Sequence, residues 1–173
     1  MKVRHKMKSA ILGFSGSGKS TLAKYIAEKE NTPLLYLDTV QFTTGWQVRD
    51  IDKQKRIVSD FMKNESWVID GNYSKLYRDE RIAQADRIII LRLGRWSCLF
   101  RVIKRYFTYR NKTRESMTEG CNEKIDLEFI KWILKDGRSR AHREFLDKTA
   151  ENYPDKTTVI RNQRELGKYY KSI

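Results

Sequence analysis

The sequence predicts an α/β domain with a parallel sheet, because strand-like and helix-like hydrophobic patterns alternate along the chain. Its 173 residues are enough for one compact domain with a buried core and too few for two. Hydrophobic residues make up 39% of the chain and aromatic residues 12%, as in ordinary globular proteins. No stretch approaches the roughly 20 apolar residues that cross a membrane. We therefore predict a single domain over residues 1–173 with no membrane partner.

The first half of the chain predicts two strand–helix units. Apolar runs at residues 7–12 and 34–37 predict the first two strands, and the second run ends at Asp38. Apolar residues that recur every three or four positions predict helices over residues 19–29 and 52–63. Each of these helices is expected to bury one face against the sheet.

The second half of the chain predicts three further strands and four helices. A third strand at residues 67–69 ends at Asp70, and the longest apolar run, at residues 87–91, predicts the fourth. The helix that follows Gly94 is predicted to bury a stripe comprising Trp96, Leu99, Phe100, Ile103 and Phe107. The other predicted elements are a short helix over residues 75–85, a strand at residues 157–160 and a terminal helix from Arg164.

A long polar segment separates the last two helical patterns before the final strand. Residues 108–125 are basic and show no periodicity, and a loop of this length in a small domain is usually functional or disordered. We interpret it as a lid over a bound ligand. Asp126 is then predicted to cap one long helix that continues past Gly137 to about residue 148. Its inward residues are predicted to be Leu127, Ile130 and Leu134.

The segment from Gly13 to Ser20 fits the phosphate-binding pattern G-x-x-x-x-G-K-[ST] without deviation. Glycines let successive backbone N–H groups point at phosphate oxygens, and the following helix adds its positive end. This motif predicts binding of ATP, or alternatively GTP, together with Mg²⁺. Lys19 is expected to reach the β- and γ-phosphates and Ser20 to ligate Mg²⁺. The other predicted phosphate-binding residues are Gly13, Ser15, Gly16, Ser17, Gly18 and Thr21, the last near the α-phosphate.

Two carboxylates, Asp38 and Asp70, end short apolar runs. The carboxyl ends of parallel strands gather around the ligand crevice of such a sheet. At least one of the two is therefore expected to face Mg²⁺ or a second substrate. The alternative for each is a turn-capping role, which an aspartate after a strand often has.

The positive charge of the chain is large and unevenly distributed. The net charge is +14, and the segment from Arg87 to Arg114 contains nine basic residues and no acidic one. A field of this sign attracts polyanions, which are either nucleotide phosphates or nucleic acid. Composition alone does not separate these two partners.

Two further features bear on cellular location. Residues 1–6 are basic but lack the apolar run and cleavage site of a signal peptide, so we predict a flexible tail. The two cysteines, Cys98 and Cys121, show no metal-ligand spacing, and we interpret them as reduced thiols. Both features favour a cytoplasmic protein.

The order of elements, the phosphate-binding loop and residues 67–73 resemble the adenylate-kinase-like nucleoside and nucleotide kinases. The chain resembles more closely the small bacterial DNA topology modulation proteins, over nearly its whole length from Met7 onward. The matching stretches are Leu37-Asp38, Trp67 to Tyr73, Arg95-Trp96, the helix from Arg101 to Arg105, Glu119-Gly120-Cys121 and Ile160-Arg161-Asn162.

The resemblance implies a P-loop fold with three layers, in which five parallel strands in the order 2-3-1-4-5 carry helices on both faces. It also implies that Asp70 orients Mg²⁺ and its water. Arg101 and Arg105, four residues apart, are expected to contact the nucleotide and the transferring phosphoryl group.

The resemblance extends to residues beyond the lid. Arg138, with Arg140 and Arg143, resembles the basic residues that return from the lid to the transferring phosphoryl group. Asn162 follows the last strand, where relatives hold the adenine base.

One departure from adenylate kinases concerns the acceptor. Their Asp-Gly pair is followed by Phe-Pro-Arg, whereas here Asn72-Tyr73-Ser74 follows, so the acceptor need not be a nucleoside monophosphate. We expect a small-molecule acceptor held by Asp38 and Asn72, with Asp38 positioning or deprotonating its hydroxyl. The leading hypothesis is thus an ATP-dependent kinase. The alternatives are a nucleic-acid-binding protein with regulatory ATP binding, and a slow ATPase without an acceptor.

Overall fold

Five parallel strands form the central sheet of the computed structural model, which describes residues 6–109, 115–121 and 125–173. Two further short strands form a separate antiparallel hairpin. The strands are β1 (Lys8–Gly13), β2 (Leu34–Tyr36), β3 (Phe42–Thr43), β4 (Gln47–Val48), β5 (Trp67–Asp70), β6 (Arg87–Leu91) and β7 (Thr157–Ile160).

Helices connect these strands in chain order. They are α1 (Lys19–Glu30), α2 (Leu37–Gln41), α3 (Ile51–Met62), α4 (Arg78–Gln84), α5 (Arg95–Tyr109), α6 (Leu127–Leu134), α7 (Arg140–Asn152) and α8 (Gln163–Ser172). Short 3₁₀ turns lie at Thr44–Trp46, Asp136–Arg138 and Pro154–Lys156. Within the described residues, no helix has the length and apolar character needed to cross a membrane.

The sheet confirms the predicted α/β fold class. Its strands lie in the order β2-β5-β1-β6-β7, and every neighbouring pair is parallel. Counted among these five strands alone, the order is the predicted 2-3-1-4-5. The full numbering differs because the β3–β4 hairpin was not predicted from the sequence.

The sheet buries side chains on both faces, as its nearly continuous apolar strands require. On one face, Leu12, Ile69 and Ile90 belong to a core that also includes residues of α3, α4 and α7. On the other face, Ile11 and Ile89 pack with residues of α1, α5, α6 and α8. Because β1, β2 and β5 run parallel, their carboxyl ends lie at the same edge of the sheet, and the candidate site is at this edge.

The aromatic stripe predicted to be buried on α5 is instead largely exposed. Trp96, Phe100 and Phe107 are 62%, 69% and 70% exposed, whereas Cys98 and Val102 are buried. A Cβ atom placed on Gly16 would lie 2.8 Å from both the Cys98 carbonyl oxygen and a Val102 methyl carbon. The helix therefore approaches the phosphate-binding loop closely, and only small side chains fit on that side. The large aromatic residues are on the opposite face.

The single long helix predicted from Asp126 to about residue 148 is also wrong. Helix α6 ends at Leu134, and α7 begins after Ser139, whose hydroxyl oxygen accepts a hydrogen bond from the His142 backbone N–H. Between them, Gly137 lies against Trp132, and a Cβ atom at this position would come within 2.8 Å of the indole nitrogen. The chain therefore turns at Gly137, and Leu127, predicted to point inward, is 84% exposed.

The described part of the predicted lid packs against the β3–β4 hairpin. Thr118 Oγ1 donates a hydrogen bond to the Phe42 carbonyl oxygen at 2.5 Å, and Cys121 Sγ contacts the Thr43 carbonyl oxygen at 3.2 Å. Met117 and Cys121 are buried. Residues 110–114 and 122–124 of the predicted lid, and residues 1–5 of the predicted tail, lie outside the described residues.

Candidate phosphate-binding and acceptor site

The phosphate-binding loop connects the end of β1 to the start of α1. Gly13, Gly16 and Gly18 have φ angles of 134°, 75° and 96°, a region of backbone space that side chains with a Cβ rarely adopt. A Cβ atom on Gly13 would lie 2.2 Å from the Leu91 carbonyl oxygen. The glycines of the motif are thus required by backbone conformation and by close packing on β6 and α5.

Lys19 extends back across this loop. Its ammonium group donates a hydrogen bond of 2.9 Å to the Phe14 carbonyl oxygen at the start of the loop. The positive charge therefore lies over the loop backbone, beside the positive end of α1. Thr21, in the first turn of α1, is exposed. Both placements are compatible with the predicted contacts to a bound triphosphate.

The Ser20 hydroxyl donates a 2.7 Å hydrogen bond to Asp70 Oδ2, which joins the phosphate-binding loop to the end of β5. Asp70 is buried, with 6% of its surface exposed. A hydroxyl and a carboxylate are oxygen ligands of the kind that Mg²⁺ prefers, and Mg²⁺ usually takes its remaining ligands from phosphates and water. The two predicted metal ligands therefore lie together and fit Mg²⁺.

No cluster of three or more His, Cys, Asp or Glu side chains suited to a metal lies in the described part of the chain. A metal held only by protein side chains is thus not expected among these residues. A pair such as Ser20 and Asp70 needs the oxygens of a bound triphosphate to complete the coordination of Mg²⁺.

Asn72 holds the start of the loop through two reciprocal hydrogen bonds. Its Oδ1 accepts from the Gly13 backbone N–H at 3.0 Å, and its Nδ2 donates to the Gly13 carbonyl oxygen at 2.7 Å. The side chain was predicted to hold the acceptor, and this expectation is corrected. Both ends of its amide are occupied by the backbone, so Asn72 positions the loop.

Arg81 is a buried residue next to the site that the sequence analysis missed. Its guanidinium is fully buried and donates hydrogen bonds of 3.1, 2.9 and 2.8 Å to the carbonyl oxygens of Gly71, Tyr73 and Leu76. Burial, followed by the neighbouring Arg78 charge, lowers the pKa of Arg81 to about 10. The side chain fixes the loop that follows Asp70. No sequence signal separates it from the exposed arginines of the chain.

Asp38 and Tyr73 form the second polar pair of the site. The Tyr73 hydroxyl donates a 2.7 Å hydrogen bond to Asp38 Oδ1. Burial raises the pKa of Tyr73 well above its ordinary value, and the charges of Asp38 and Asp70 raise it further. Tyr73 therefore stays protonated and keeps donating its hydrogen bond to Asp38. Asp38 itself lies in the first turn of α2, because β2 ends at Tyr36 and not directly before the carboxylate as predicted.

Arg101 lies beside the phosphate-binding loop, as its predicted role requires. Its Nη1 donates a 3.2 Å hydrogen bond to the Ser17 carbonyl oxygen, and its Nη2 donates to the Gln163 side chain. Arg105, one turn further along α5, is half-buried. The structure does not test their contacts with a nucleotide, which stay a prediction.

Arg138 lies over the ring of Phe14, with its guanidinium carbon 4.1 Å from the ring centre. It donates hydrogen bonds of 2.9 Å to the carbonyl oxygens of Ile133 and Leu93. Burial lowers the pKa of Arg138 from its ordinary value. In this arrangement it connects α6 and the segment between β6 and α5 to the loop, and its role in phosphoryl transfer stays a prediction.

Asn162 and Ser15 make contacts that their predicted roles did not include. Asn162 caps α8, with its Oδ1 accepting from the Glu165 backbone N–H at 2.9 Å and its Nδ2 donating to the Glu165 carboxylate at 2.7 Å. Ser15 Oγ accepts a 3.1 Å hydrogen bond from the Trp132 indole. An adenine contact of Asn162 is therefore expected through its backbone.

No protein-family model matches the sequence, and no curated protein matches it significantly. Two solved structures have a similar fold. Shikimate kinase from Acinetobacter baumannii in complex with shikimate aligns with a TM-score of 0.58 and 16% identity, covering 98% of this chain and 91% of that chain. TT1252 from Thermus thermophilus aligns with a TM-score of 0.52 and 14% identity, covering 97% and 96% of the two chains.

At this level of identity the two alignments establish the fold alone. The chain therefore shares the α/β fold of this shikimate kinase structure, with five parallel strands flanked by helices. The resemblance to DNA topology modulation proteins, in contrast, stays a prediction from the sequence.

Proposed function

We propose that the protein is an ATP-dependent kinase that transfers the γ-phosphoryl group to a hydroxyl of a small molecule. The observation that carries this proposal is the position of Asp38. It is half-buried and hydrogen-bonded to Tyr73, and it follows by two residues Tyr36, which pairs with the predicted metal ligand Asp70 between β2 and β5. A carboxylate at this position is able to orient an acceptor hydroxyl and to take its proton. The similar fold of a shikimate kinase supports the same reaction class.

The residues of the loop bind the donor nucleotide in this proposal. The loop N–H groups and Lys19 bind the phosphates, and Ser20 and Asp70 hold Mg²⁺. Bound Mg²⁺ supplies charge neutralisation at the β- and γ-phosphates. Asn72 and Arg81 fix the positions of the loop and of the segment that follows β5. The phosphate-binding and metal-binding groups are therefore in place before the substrate arrives.

Asp38 positions the acceptor and takes its proton. The acceptor oxygen forms a bond to the γ-phosphorus as the bond to the β,γ-bridging oxygen breaks, and ADP leaves. The hydroxyl proton passes to Asp38, whose carboxylate is oriented by the Tyr73 hydroxyl. Arg101, Arg105 and Arg138 stabilise the negative charge that spreads over the transferring group.

The segment of residues 115–121 helps to exclude water from this reaction. It packs on the β3–β4 hairpin and donates a hydrogen bond from Thr118 to the Phe42 carbonyl oxygen, just beyond the helix that carries Asp38. Its contact with the hairpin next to α2 supports a position on the acceptor side of the site. Exclusion of water favours transfer to the acceptor over hydrolysis of ATP.

The test is phosphoryl transfer from γ-labelled ATP across a panel of nucleosides, nucleotides and small hydroxylated metabolites, with Mg²⁺ present. We expect one class of acceptor to be labelled and Lys19→Ala to lower the rate at least ~100-fold. Release of phosphate alone would support a slow ATPase instead. Transfer that is unchanged in Lys19→Ala would contradict the role of the loop.

A second candidate function is nucleic-acid binding, with the nucleotide as a regulator. The exposed residues Trp96, Phe100 and Phe107 of α5 favour it, because at 3.6 residues per turn they lie within about 40° of one another. Aromatic side chains beside cations such as Lys104 stack on the bases of single strands.

This second candidate predicts a binding constant for single-stranded DNA that falls steeply with salt, with a slope of roughly −0.7 per phosphate contacted. Phe100→Ala is expected to weaken this binding. Negligible DNA affinity at moderate salt rejects the candidate without affecting the kinase proposal.

A further inference from the structure

A cavity of about 400 Å³ lies beside the phosphate-binding loop, and neither Asp38 nor Tyr73 is among the residues that line it. Phe14, the second residue of the loop, forms part of its wall. The rest of the lining comes mainly from the end of β6 and from α5, α6 and α7. Five cationic side chains line it, namely Arg92, Arg95, Lys135, Arg138 and Arg143.

The positive charge of this cavity is largely uncompensated. Arg92 forms an ion pair with Asp147. Across residues 6–109, 115–121 and 125–173, no carboxylate lies within ion-pair distance of Arg95, Lys135 or Arg143. Burial is the main cause of the lowered pKa of Arg138, and the charges of Arg95 and Arg143 lower it further. These cations therefore lie close enough to repel one another.

Two helices begin at the cavity and add to its positive potential. Arg95 is the first residue of α5, which has 15 residues, and Ser139 is the N-cap of α7, which has 13. The N-terminal end of a helix presents unpaired backbone N–H groups and a partial positive charge. Helix α6 ends here with the opposite polarity, and Lys135 follows its last turn. Cations and helix termini together favour an anion.

We propose that this cavity binds the phosphate or carboxylate group of a small metabolite, with Arg95, Lys135 and Arg143 as its main ligands. Its volume suits one small molecule, in line with ordinary ligand pockets. Arg138 and Phe14, which are in contact, connect it to the phosphate-binding loop. The anionic group belongs either to the phosphoryl acceptor or to a separate effector, and binding at the cavity does not depend on turnover.

The experiment is a titration with inorganic phosphate, followed by the backbone amide NMR shifts of the protein. Mg²⁺ and a saturating non-hydrolysable ATP analogue fill the phosphate-binding loop first, and a parallel chloride titration corrects for ionic strength. We expect saturable shifts at Arg95, Ser139 and Arg143 with one phosphate bound per chain. The Arg95→Gln/Arg143→Gln double variant is expected to weaken this binding at least tenfold.

Arg140→Gln is the matched control, because Arg140 lies on the same helix and is exposed like Arg143, but it does not line the cavity and is paired with Glu144. Its phosphate affinity is expected to equal that of the unchanged protein. The proposal is overturned if phosphate gives no saturable shifts with nucleotide bound. It is also overturned if the double variant binds phosphate as tightly as the Arg140→Gln control.

Kinetics then distinguish the two sources of the anion. If it belongs to the acceptor, Arg143→Gln raises the KM of acidic acceptors and leaves the KM of ATP and of neutral acceptors unchanged. If it belongs to an effector, phosphate changes the rate without competing with the acceptor. A complete lack of phosphoryl transfer would reject the proposed kinase function. The phosphate titration would still test whether the cavity binds an anion.

Discussion

The phosphate-binding loop and the helices α5, α6 and α7 lie side by side but are built differently. In the loop region, the Asn72 side chain is hydrogen-bonded to the Gly13 backbone and the Ser20 hydroxyl to Asp70. On α5, in contrast, aromatic side chains such as Phe100 face solvent. The α5, α6 and α7 segment also supplies four of the five cations that line the proposed anion cavity.

This difference matches two different tasks. A site that stabilises a transferring phosphoryl group benefits from donors that are fixed in advance. A surface that receives a second ligand keeps its charges available until that ligand arrives. We therefore expect substitutions in the loop region to affect folding and catalysis together, whereas most substitutions on the outer face of α5 affect neither.

The largest difference is expected between two glycines. Gly13→Ala places a Cβ atom 2.2 Å from the Leu91 carbonyl oxygen, at a φ angle of 134°, and should destabilise the fold by roughly 3 kcal/mol or more. A Cβ atom on Gly94, just before α5, meets no atom of the described residues within 4 Å. Gly94→Ala should change stability by less than about 0.5 kcal/mol. Urea denaturation of both variants tests the pair, and similar losses would contradict the comparison.

Arg81 and Arg140 give the second contrast. Arg81→Met leaves the carbonyl oxygens of Gly71, Tyr73 and Leu76 without their buried donor and should cost about 3 kcal/mol of folding free energy. Arg140→Met removes only an exposed pair with Glu144 and should cost at most about 0.5 kcal/mol. Thermal unfolding monitored by circular dichroism measures both. If Arg81→Met is as mild as its control, the buried guanidinium does not hold the loop.

The two faces of α5 provide the third contrast. Val102 is fully buried against Gly16, and Val102→Ala should destabilise the protein by about 2 kcal/mol because it removes two buried methyl groups. Phe100→Ala should change stability by less than about 0.5 kcal/mol, although it removes a larger side chain. A larger loss for Phe100→Ala, measured by urea denaturation, would show that the aromatic face is buried in solution.

The smallest effect concerns pH. His142 is half-buried against Phe14, and burial lowers its pKa below the ordinary value. Between the lowered pKa and about pH 6.5, the unfolded state binds more protons than the native state, so stability falls as the pH is lowered through this window. His142→Gln should remove this part of the pH dependence. Urea midpoints at pH 5.5 and 7.5 measure it, and an unchanged pH difference in the variant would count against the interpretation.

Much of the fold followed from the sequence because parallel strands are marked by short apolar runs, such as residues 87–91, that need no further context. The Gly13–Ser20 motif also predicted its own backbone conformation, because glycine adopts the positive φ angles of Gly13, Gly16 and Gly18 at little cost. The residue pair Ser20 and Asp70 was predicted to share a metal, and the structure brings their side chains into hydrogen-bond contact.

The errors arose where tertiary contacts outweigh a local pattern. The α5 stripe has a regular helical period, yet the side facing Gly16 has room only for small residues such as Cys98, so the large aromatic residues point outward. The turn at Gly137 depends on the packing of Trp132, which periodicity does not reveal. The roles of Asn72 and Arg81 depend on which backbone atoms lie nearby, and composition carries no such information.

The central claim, that Asp38 serves phosphoryl transfer to an acceptor, is tested most directly by Asp38→Asn. The measurement compares the rate of labelled phosphoryl transfer and the affinity for an ATP analogue in the unchanged protein and the variant. We expect transfer to fall by roughly 10²- to 10⁴-fold, because the amide cannot accept the hydroxyl proton, while the Kd of the ATP analogue changes less than about twofold. An unchanged transfer rate, or an equal loss of nucleotide affinity, would contradict the account.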